Sequence, residues 1–133
     1  MKLTEFEQLK ALSIQQPWAN AIIFGTNAGF KDIENRTWKT SFRGKFYVHV
    51  GQKIDKESIR GLNNLGIYLN NSELKTGGII GTVELVDVIY QVSMIQNVWK
   101  IHGQYGFLLR NPQPIEFIPC KGQLGFFTPK IDT

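Results

Sequence analysis

Apolar and polar side chains alternate in several short stretches of the chain, which is typical of β-strands with one buried face. In KFYVHV, residues 45–50, Phe or Val occupies every second position, and Lys45, Tyr47 and His49 lie on the opposite face. Residues 12–14 show the same alternation. Both segments are therefore predicted to be strands.

Later segments add further strand candidates. GGIIGTVELVDVIY, residues 77–90, carries β-branched side chains on both faces, which predicts a long strand buried on both sides or nearly so. Three shorter candidates follow, QYGFLLR, IEFIP and GQLGFFTP, and NPQP, residues 111–114, is predicted to be a turn between the first two.

Helical signals occur in two places. Pro17 suits the first turn of a helix that Gly25 can close with a left-handed cap. Asp55 can cap a second helix. VSMIQNVWKIHG, residues 92–103, is ambiguous, and we expect a short helix or a loop. The apolar stripe of the second helix is predicted to contain Ile59, Leu62, Leu65 and Leu69.

Strands outnumber helices, and few parallel βαβ units can be drawn, so we predict an α+β fold: a small closed β-barrel of mixed strands with two main flanking helices. The length, 133 residues with 42% hydrophobic residues, fits a single domain over residues 1–133. The only cysteine, Cys120, excludes an intramolecular disulfide framework. No membrane span or secretory signal is recognised, and we expect a cytoplasmic domain.

The net charge of +4 is concentrated in one segment. Residues 31–60 hold eight Lys/Arg and four Asp/Glu, and the rest of the chain is balanced. Because aromatic residues are interleaved with these cations, the segment suits a polyanion with stackable bases. A solvated surface that keeps the protein soluble is the alternative.

Lys31, Glu34 and Arg36 place two cations and a carboxylate within six residues. On a regular strand Glu34 and Arg36 share a face and Lys31 lies on the other, unless a bulge or turn intervenes. Arg36 can hold a phosphate or a base edge through two hydrogen bonds, and Glu34 can orient it or accept a proton from an exocyclic amine. A structural ion pair at a barrel rim is the alternative.

Other candidates are aromatic or basic. Trp18 is expected to pack against the sheet, and Trp38 is the better candidate for stacking a base. Arg43 and Lys45 flank a glycine at which backbone amides can approach a ligand. His49, on the strand face of Lys45 and Tyr47, is a candidate binding residue that faces the cleft. It is too isolated to form a metal site, so we expect no metal and no cofactor. Gln16 and Lys121 complete the candidate binding residues.

Residues 12–50 resemble the ASCH family, a branch of the PUA-like barrels. The resemblance rests on Gly25 followed by Lys31, Glu34 and Arg36 in a Lys-x-x-Glu-x-Arg pattern. Gln16-Pro17-Trp18 at the first helix, and the later segments GIIGTVELVDV, GFLLRNP and PCKG, also look like the family, in order over about residues 12–128. Residues 27–30 look inserted, and this longer loop predicts looser placement of Lys31.

The resemblance implies a module that binds RNA or single-stranded nucleic acid in a cleft between the first helix and residues 31–43. A second implied function is a small hydrolase, either an amidohydrolase on acylated cytidine nucleosides or a ribonuclease. Lys31 and Glu34 are its candidate catalytic residues, although Glu34 stands where such amidohydrolases have a catalytic Thr. For a ribonuclease, Tyr47, His49 and Lys53 are acid–base candidates. A protein-interaction domain is the third alternative.

Overall fold

The computed structural model of the protein describes residues 7–90 and 97–131. Six strands and two helices are present in the described residues. In chain order they are β1 (Ala11–Ser13), α1 (Trp18–Ile23), β2 (Ile33–Arg36), β3 (Gly44–Val50), α2 (Lys56–Asn64), β4 (Gly78–Ile89), β5 (Tyr105–Pro119) and β6 (Phe126–Phe127).

The strands form one mixed sheet in the order β2-β5-β4-β3-β1-β6. Only the β1–β3 pair is parallel, and the other four pairs are antiparallel. The sheet curls into a half-barrel but does not close, because β2 and β6 at its two edges do not pair with each other. The predicted α+β class with mixed strands and two helices is confirmed, whereas the predicted closed barrel is wrong.

Side chains, rather than backbone hydrogen bonds, connect β2 at one edge of the curled sheet to β1 and β6 at the other side. Trp38, just after β2, contacts Phe126 of β6 edge to face, with ring centroids 6.1 Å apart. Arg36 of β2 donates from Nη2 to the carbonyl oxygen of Ser13 in β1, at 2.7 Å. Because β6 is only two residues long, it offers too few backbone groups to continue the ladder, and these side chains connect the edges instead.

The sheet buries both of its faces in its central part. The larger core cluster lies on the face of Phe46, Val48 and Val50, and α1 packs there. The smaller cluster lies on the opposite face and includes Tyr47. The alternation predicted for β3 is confirmed, but Tyr47 and His49 are buried as well, so neither face of this strand is open along its length.

The predicted turn NPQP is wrong, since β5 runs through it as one strand of fifteen residues. Its pairing with β4 shifts register at several points, and Asn111 has a φ of 56°. These are the features of a β-bulge, in which extra residues are absorbed without reversing the chain. An Asn-Pro pair therefore marks a local irregularity here and not a chain reversal.

The residues predicted to begin or end the two helices are confirmed, whereas the predicted apolar stripe of α2 is confirmed only in part. Gly25 follows α1 with a φ of 81°, and the Asp55 carboxylate accepts the backbone N–H of Ser58 at 3.0 Å as the cap of α2. However, α2 ends at Asn64, and Leu65 beyond it is exposed, so the predicted apolar stripe is shorter than expected.

Part of the ambiguous segment, residues 92–96, lies outside the described residues, and residues 97–103 form a loop. None of the described helices is long and apolar enough to cross a membrane.

Candidate functional site

Lys31, Glu34 and Arg36 form one connected ion-pair network. Lys31 Nζ lies 3.0 Å from Glu34 Oε1, and Arg36 Nη2 lies 3.0 Å from Glu34 Oε2. Lys31 and Glu34 are buried, and Arg36 is half-buried. Because a buried charge is destabilising unless it is paired, each of these side chains depends on the carboxylate or the cations beside it.

The relative position of Lys31 follows from where β2 begins. Since β2 starts at Ile33, Lys31 precedes the regular strand. Its side chain reaches forward along the chain, where Nζ donates to the Ile33 carbonyl oxygen and to Glu34. Strand alternation places Lys31 opposite Glu34 only if the strand extends back to it. The turn before β2 is therefore what brings the two side chains together.

The inserted residues 27–30 do not leave Lys31 loosely held in this structure. Thr26 and Gly29 bond to each other through both backbone N–H groups, at 2.8 and 3.0 Å, which closes the loop tightly. Asn27 exchanges hydrogen bonds with the 66–68 segment, and the Lys31 N–H donates to the Ala21 carbonyl of α1 at 2.9 Å. The expectation of loose placement is contradicted by these contacts.

A cavity of about 260 Å³ opens beside this ion-pair network, and we call it the Lys31 pocket. Trp18, at the start of α1, forms one wall, and its ring centroid lies 5.7 Å from Lys31 Nζ. Aromatic, aliphatic and charged side chains thus meet in one small space. The residues that line the pocket are Trp18, Lys31, Glu34, Asn35, Leu62, Val98, Trp99, Ile101 and Gln104.

The loop that carries Trp99 is fastened to β2 by the amide of Asn35. Asn35 Nδ2 donates to the Trp99 carbonyl at 2.6 Å, and Asn35 Oδ1 accepts the N–H of Ile101 at 2.9 Å. Asp32 accepts a hydrogen bond from the Asn97 side chain at 3.0 Å in the same region. The dense run of polar residues in KDIENR is explained by these two tasks, the ion-pair network and the anchoring of the loop.

The pocket retains hydrogen-bonding capacity at its charged end. A lysine ammonium has three N–H donors, and Lys31 uses two of them on Ile33 and Glu34 among the described residues. Each Glu34 oxygen receives one charged donor and keeps a second lone pair. The arrangement can therefore donate to a carbonyl or ring nitrogen and accept from an N–H at neighbouring points.

Three of the predicted site residues, Trp18, Lys31 and Glu34, line this pocket. Arg36 does not line it but pairs with Glu34. Trp38 instead packs edge to face on Phe107, with centroids 5.3 Å apart, and Arg36 lies over its ring at 6.0 Å. Of Trp18 and Trp38, the better candidate for stacking a base is therefore Trp18.

Gln16 is fully buried, and its side chain is used within the protein. Its Nε2 donates to Asn20 Oδ1 at 2.8 Å and to the Lys75 carbonyl at 3.1 Å, and its Oε1 accepts the N–H of Asn20. Because these hydrogen bonds occupy its side chain, Gln16 positions the start of α1, and it does not line the Lys31 pocket.

Arg43 and Lys45 do not line the Lys31 pocket, and each has its own acidic neighbour. Arg43 Nη2 is 3.7 Å from Asp87 Oδ1, and Lys45 Nζ is 2.7 Å from Glu7 Oε1. These pairs are largely exposed to solvent, so each contributes little to stability. The structure does not bring them together with Lys31.

His49 and Lys121 line a second, larger opening of about 1150 Å³, which we call the Ser13 cleft. His49 Nδ1 lies 2.8 Å from Ser13 Oγ, and His49 Nε2 lies 2.8 Å from the Cys120 carbonyl oxygen. Burial lowers the pKa of His49 below its ordinary value, and the hydrogen bond to Cys120 only partly opposes this. The two predicted residues are thus separate from the Lys31 pocket.

The acid–base set of Tyr47, His49 and Lys53 is not assembled at one surface. Tyr47 is fully buried, and burial, with a smaller contribution from the Glu7 carboxylate, raises its pKa to about 12. Lys53 is exposed and lies outside the lining of both cavities. In residues 7–90 and 97–131, no group of three His, Cys, Asp or Glu side chains is placed to hold a metal ion.

Sequence reasoning missed Asn35, Trp99 and Ser13. Trp99 reaches the pocket from a loop 64 residues beyond Asn35 along the chain, so no local spacing signals it. Ser13 meets His49 through the parallel register of β1 and β3. Asn35 lies within the charged run KDIENR and could have been selected from the sequence, because a side-chain amide has both donors and an acceptor.

These features define a small α+β domain with an open, curled mixed sheet and a buried Lys–Glu–Arg network next to its first helix. The model of the ASCH domain family matches residues 12–119, and the chain belongs to that family. The resemblance predicted from the Lys-x-x-Glu-x-Arg pattern is thereby confirmed.

Among curated proteins, Activating signal cointegrator 1 from Mus musculus and from Homo sapiens are each 25% identical to this chain over 123 residues. The alignment covers 84% of this chain and 20% of the relative in both cases. The chain therefore spans about a fifth of the length of these curated relatives.

Proposed function

We propose that this domain binds RNA or another single-stranded nucleic acid and holds one unpaired base in the Lys31 pocket. The observation that carries the proposal is the lining of this cavity of about 260 Å³, which combines two tryptophans with two charged residues. Trp18 and Trp99 are the tryptophans, Lys31 has one free N–H donor, and Glu34 has free acceptor lone pairs. A nucleobase has the planar faces and the adjacent donors and acceptors that such a cavity complements.

Lys31 and Glu34 suit a base that is not paired. Lys31 can donate to a carbonyl oxygen or ring nitrogen of the base edge, and Glu34 can accept an N–H from the same edge. In a duplex these edges are already occupied by the opposite strand. The pocket therefore favours single strands, loops and ends over double helices.

The surrounding charge supports the same ligand class. The +4 surplus lies in residues 31–60, and Lys39, Lys53, Lys56 and Arg60 of that segment are exposed and appear in no ion pair among the described residues. Cations of this kind attract phosphates without reading sequence. With about three to five phosphates neutralised, the logarithm of the affinity falls with the logarithm of salt concentration with a slope of about −2 to −4.

Fluorescence anisotropy of labelled single-stranded RNA, measured at several salt concentrations, tests the proposal. Trp99→Ala is expected to weaken binding about tenfold, since base–aromatic stacking contributes about 1–3 kcal/mol per base. Trp38→Phe is the matched control, because Trp38 packs inside the protein and lines neither cavity. Unchanged affinity in Trp99→Ala, or no binding at low salt, contradicts the proposal.

The same samples separate binding from turnover. Wild-type protein is incubated with acylated cytidine nucleosides and with a structured RNA, and both are followed by mass spectrometry. We expect neither to be converted, and we expect Lys31→Ala to lose binding. Turnover by the wild type that disappears in Lys31→Ala while binding survives would establish the hydrolase alternative instead.

A further inference from the structure

The Ser13 cleft contains a serine and a histidine in direct hydrogen-bond contact. Ser13 and His49 are register partners on the parallel strands β1 and β3, and their side chains meet at 2.8 Å. Ser13 is partly exposed to the cleft, whereas His49 is only 2% exposed behind it. The pair thus presents a hydroxyl to the cleft and keeps the imidazole inside the protein.

The hydrogen bonds fix which nitrogen of His49 carries the proton. The Cys120 carbonyl oxygen can only accept, so His49 Nε2–H donates to it at 2.8 Å. In neutral His49 the other nitrogen, Nδ1, then has the free lone pair and accepts the hydroxyl hydrogen of Ser13. Burial, which lowers the pKa of His49, favours this neutral form. A neutral, oriented imidazole next to a serine hydroxyl has the arrangement of a general base and a nucleophile.

The backbone after Cys120 approaches the serine closely. A Cβ on Gly122 would lie 2.6 Å from Ser13 Oγ and 2.7 Å from His49 Cε1, so only glycine permits this approach. Gly122 and Gln123 are exposed residues of the cleft lining, and their N–H groups donate to no acceptor among the described residues, so both donors are open to a ligand. Unpaired backbone N–H groups near a nucleophile can hold the negative charge that develops on a carbonyl oxygen.

The charge of the cleft indicates the kind of substrate. Lys121 and Lys130 are among the twelve described residues that line it, and none of the twelve is Asp or Glu. An anionic substrate is therefore attracted and a cationic one is not. The Lys31 pocket differs in this respect, because the Glu34 carboxylate lies beside Lys31 there.

We propose that Ser13 is a nucleophile activated by His49, and that the Ser13 cleft hydrolyses carboxylic esters that carry a negative charge. This activity is separate from nucleic-acid binding at the Lys31 pocket, since the two cavities share no lining residue.

The reaction balances with water as the only co-reactant. Ser13 Oγ forms a bond to the ester carbonyl carbon while its hydrogen passes to His49 Nδ1. The bond to the leaving alkoxide then breaks, and His49 returns the proton to that oxygen, which leaves an acyl group on Ser13. A water molecule next attacks the acyl carbon while one of its protons passes to His49 Nδ1. The bond between the acyl carbon and Ser13 Oγ then breaks, His49 returns the proton to Ser13 Oγ, and the carboxylic acid is released.

A fluorophosphonate probe, which reacts with activated serine hydroxyls, tests the nucleophile. The full chain is treated, and the adduct is located by peptide mass spectrometry. We expect modification at Ser13 and none at Ser41, an exposed serine in the same molecule. Because Ser41 is an internal control, this comparison needs no variant to fold.

His49→Gln is expected to slow labelling of Ser13 by about 100-fold or more, which is the usual contribution of a general base. Ser41→Ala is the matched control and keeps the wild-type rate. The wild-type labelling rate falls on acidification with a midpoint below pH 6.5, the ordinary pKa of histidine, and the His49→Gln rate lacks this step.

Ester preference tests the charge of the cleft. Hydrolysis of 4-acetoxybenzenesulfonate, which is anionic, is expected to exceed that of 4-acetoxy-N,N,N-trimethylanilinium, an aryl acetate that carries a positive charge at the same position, by about tenfold or more. The proposal is overturned if Ser13 is not modified in preference to Ser41, if His49→Gln leaves the rate unchanged, or if the cationic ester is the better substrate.

Discussion

The Lys31 pocket and the Ser13 cleft differ in how each handles buried polar groups. In the pocket, charges are buried and neutralise one another, with Lys31 and Arg36 on the two oxygens of Glu34. In the cleft, the buried group is His49, whose pKa burial lowers, while the charges of Lys121 and Lys130 belong to exposed residues. One site is thus built on an internal ion-pair network and the other on neutral hydrogen bonds.

Ser13 and Arg36 show that the two regions are mechanically connected. The carbonyl oxygen of Ser13 accepts from Arg36, and its hydroxyl bonds to His49. Arg36 in turn contacts Glu34, which lines the Lys31 pocket. Arg36 thus links the charged network of the Lys31 pocket to the hydrogen bonds of the Ser13 cleft across the open seam of the curled sheet. Loss of a buried charge should therefore disturb the molecule more than loss of a neutral contact.

The largest effect is expected for Lys31→Met. This change keeps the apolar part of the side chain but removes one of the two cations on buried Glu34, and breaking a buried pair destabilises by about 3 kcal/mol or more. Lys45→Met is the matched control, because Lys45 makes a pair of similar length with exposed Glu7 and should lose under about 1 kcal/mol. Urea unfolding of both variants measures the difference, and equal losses would contradict the ion-pair account.

A smaller effect is expected for Gly122→Ala in the Ser13 cleft. The added Cβ would press on Ser13 and His49, and overpacking of this kind destabilises by about 1–3 kcal/mol. Gly51→Ala is the control in the same cleft, since a Cβ there meets nothing within 4 Å. Thermal unfolding compares the two variants. If Gly51→Ala is as destabilising as Gly122→Ala, the close approach is not the cause.

The smallest effect is a pH dependence that belongs to the cleft alone. The pKa of His49 is lowered in the folded state, so below about pH 6.5 the unfolded chain binds a proton more readily than the folded protein does. The free energy of unfolding therefore falls as the pH drops through 6.5 towards the folded-state pKa. His49→Gln should show a shallower fall over this range in urea unfolding at several pH values. Parallel curves would contradict this assignment.

Local sequence signals predicted the elements of this fold well where the signal and the structure involve neighbouring residues. The alternation of residues 45–50 became β3, and Asp55 capped α2. The open seam was not predictable, because it depends on a two-residue β6 that pairs only with β1. The Asn111 region was misjudged, since asparagine and proline are typical of turns and proline is also found at bulges within strands.

The candidate site was predicted in part for the same reason. Lys31, Glu34 and Arg36 are close in sequence, and their match to the Lys-x-x-Glu-x-Arg pattern of the family selected them. Their contacts depended on the point at which β2 starts, which spacing does not determine. Trp99 and Ser13 join their sites through long-range loop anchoring and strand register, and both require the three-dimensional structure.

The most direct test of the central claim uses the three tryptophans as reporters. Each indole N–H gives its own signal in a ¹H–¹⁵N NMR spectrum, and the three signals are assigned by single Trp→Phe variants. On titration with single-stranded RNA at low salt, we expect the signals of Trp18 and Trp99 to shift and that of Trp38 to remain in place. Shifts confined to Trp38, or no shift at Trp18 and Trp99 at saturation, would contradict base binding in the Lys31 pocket.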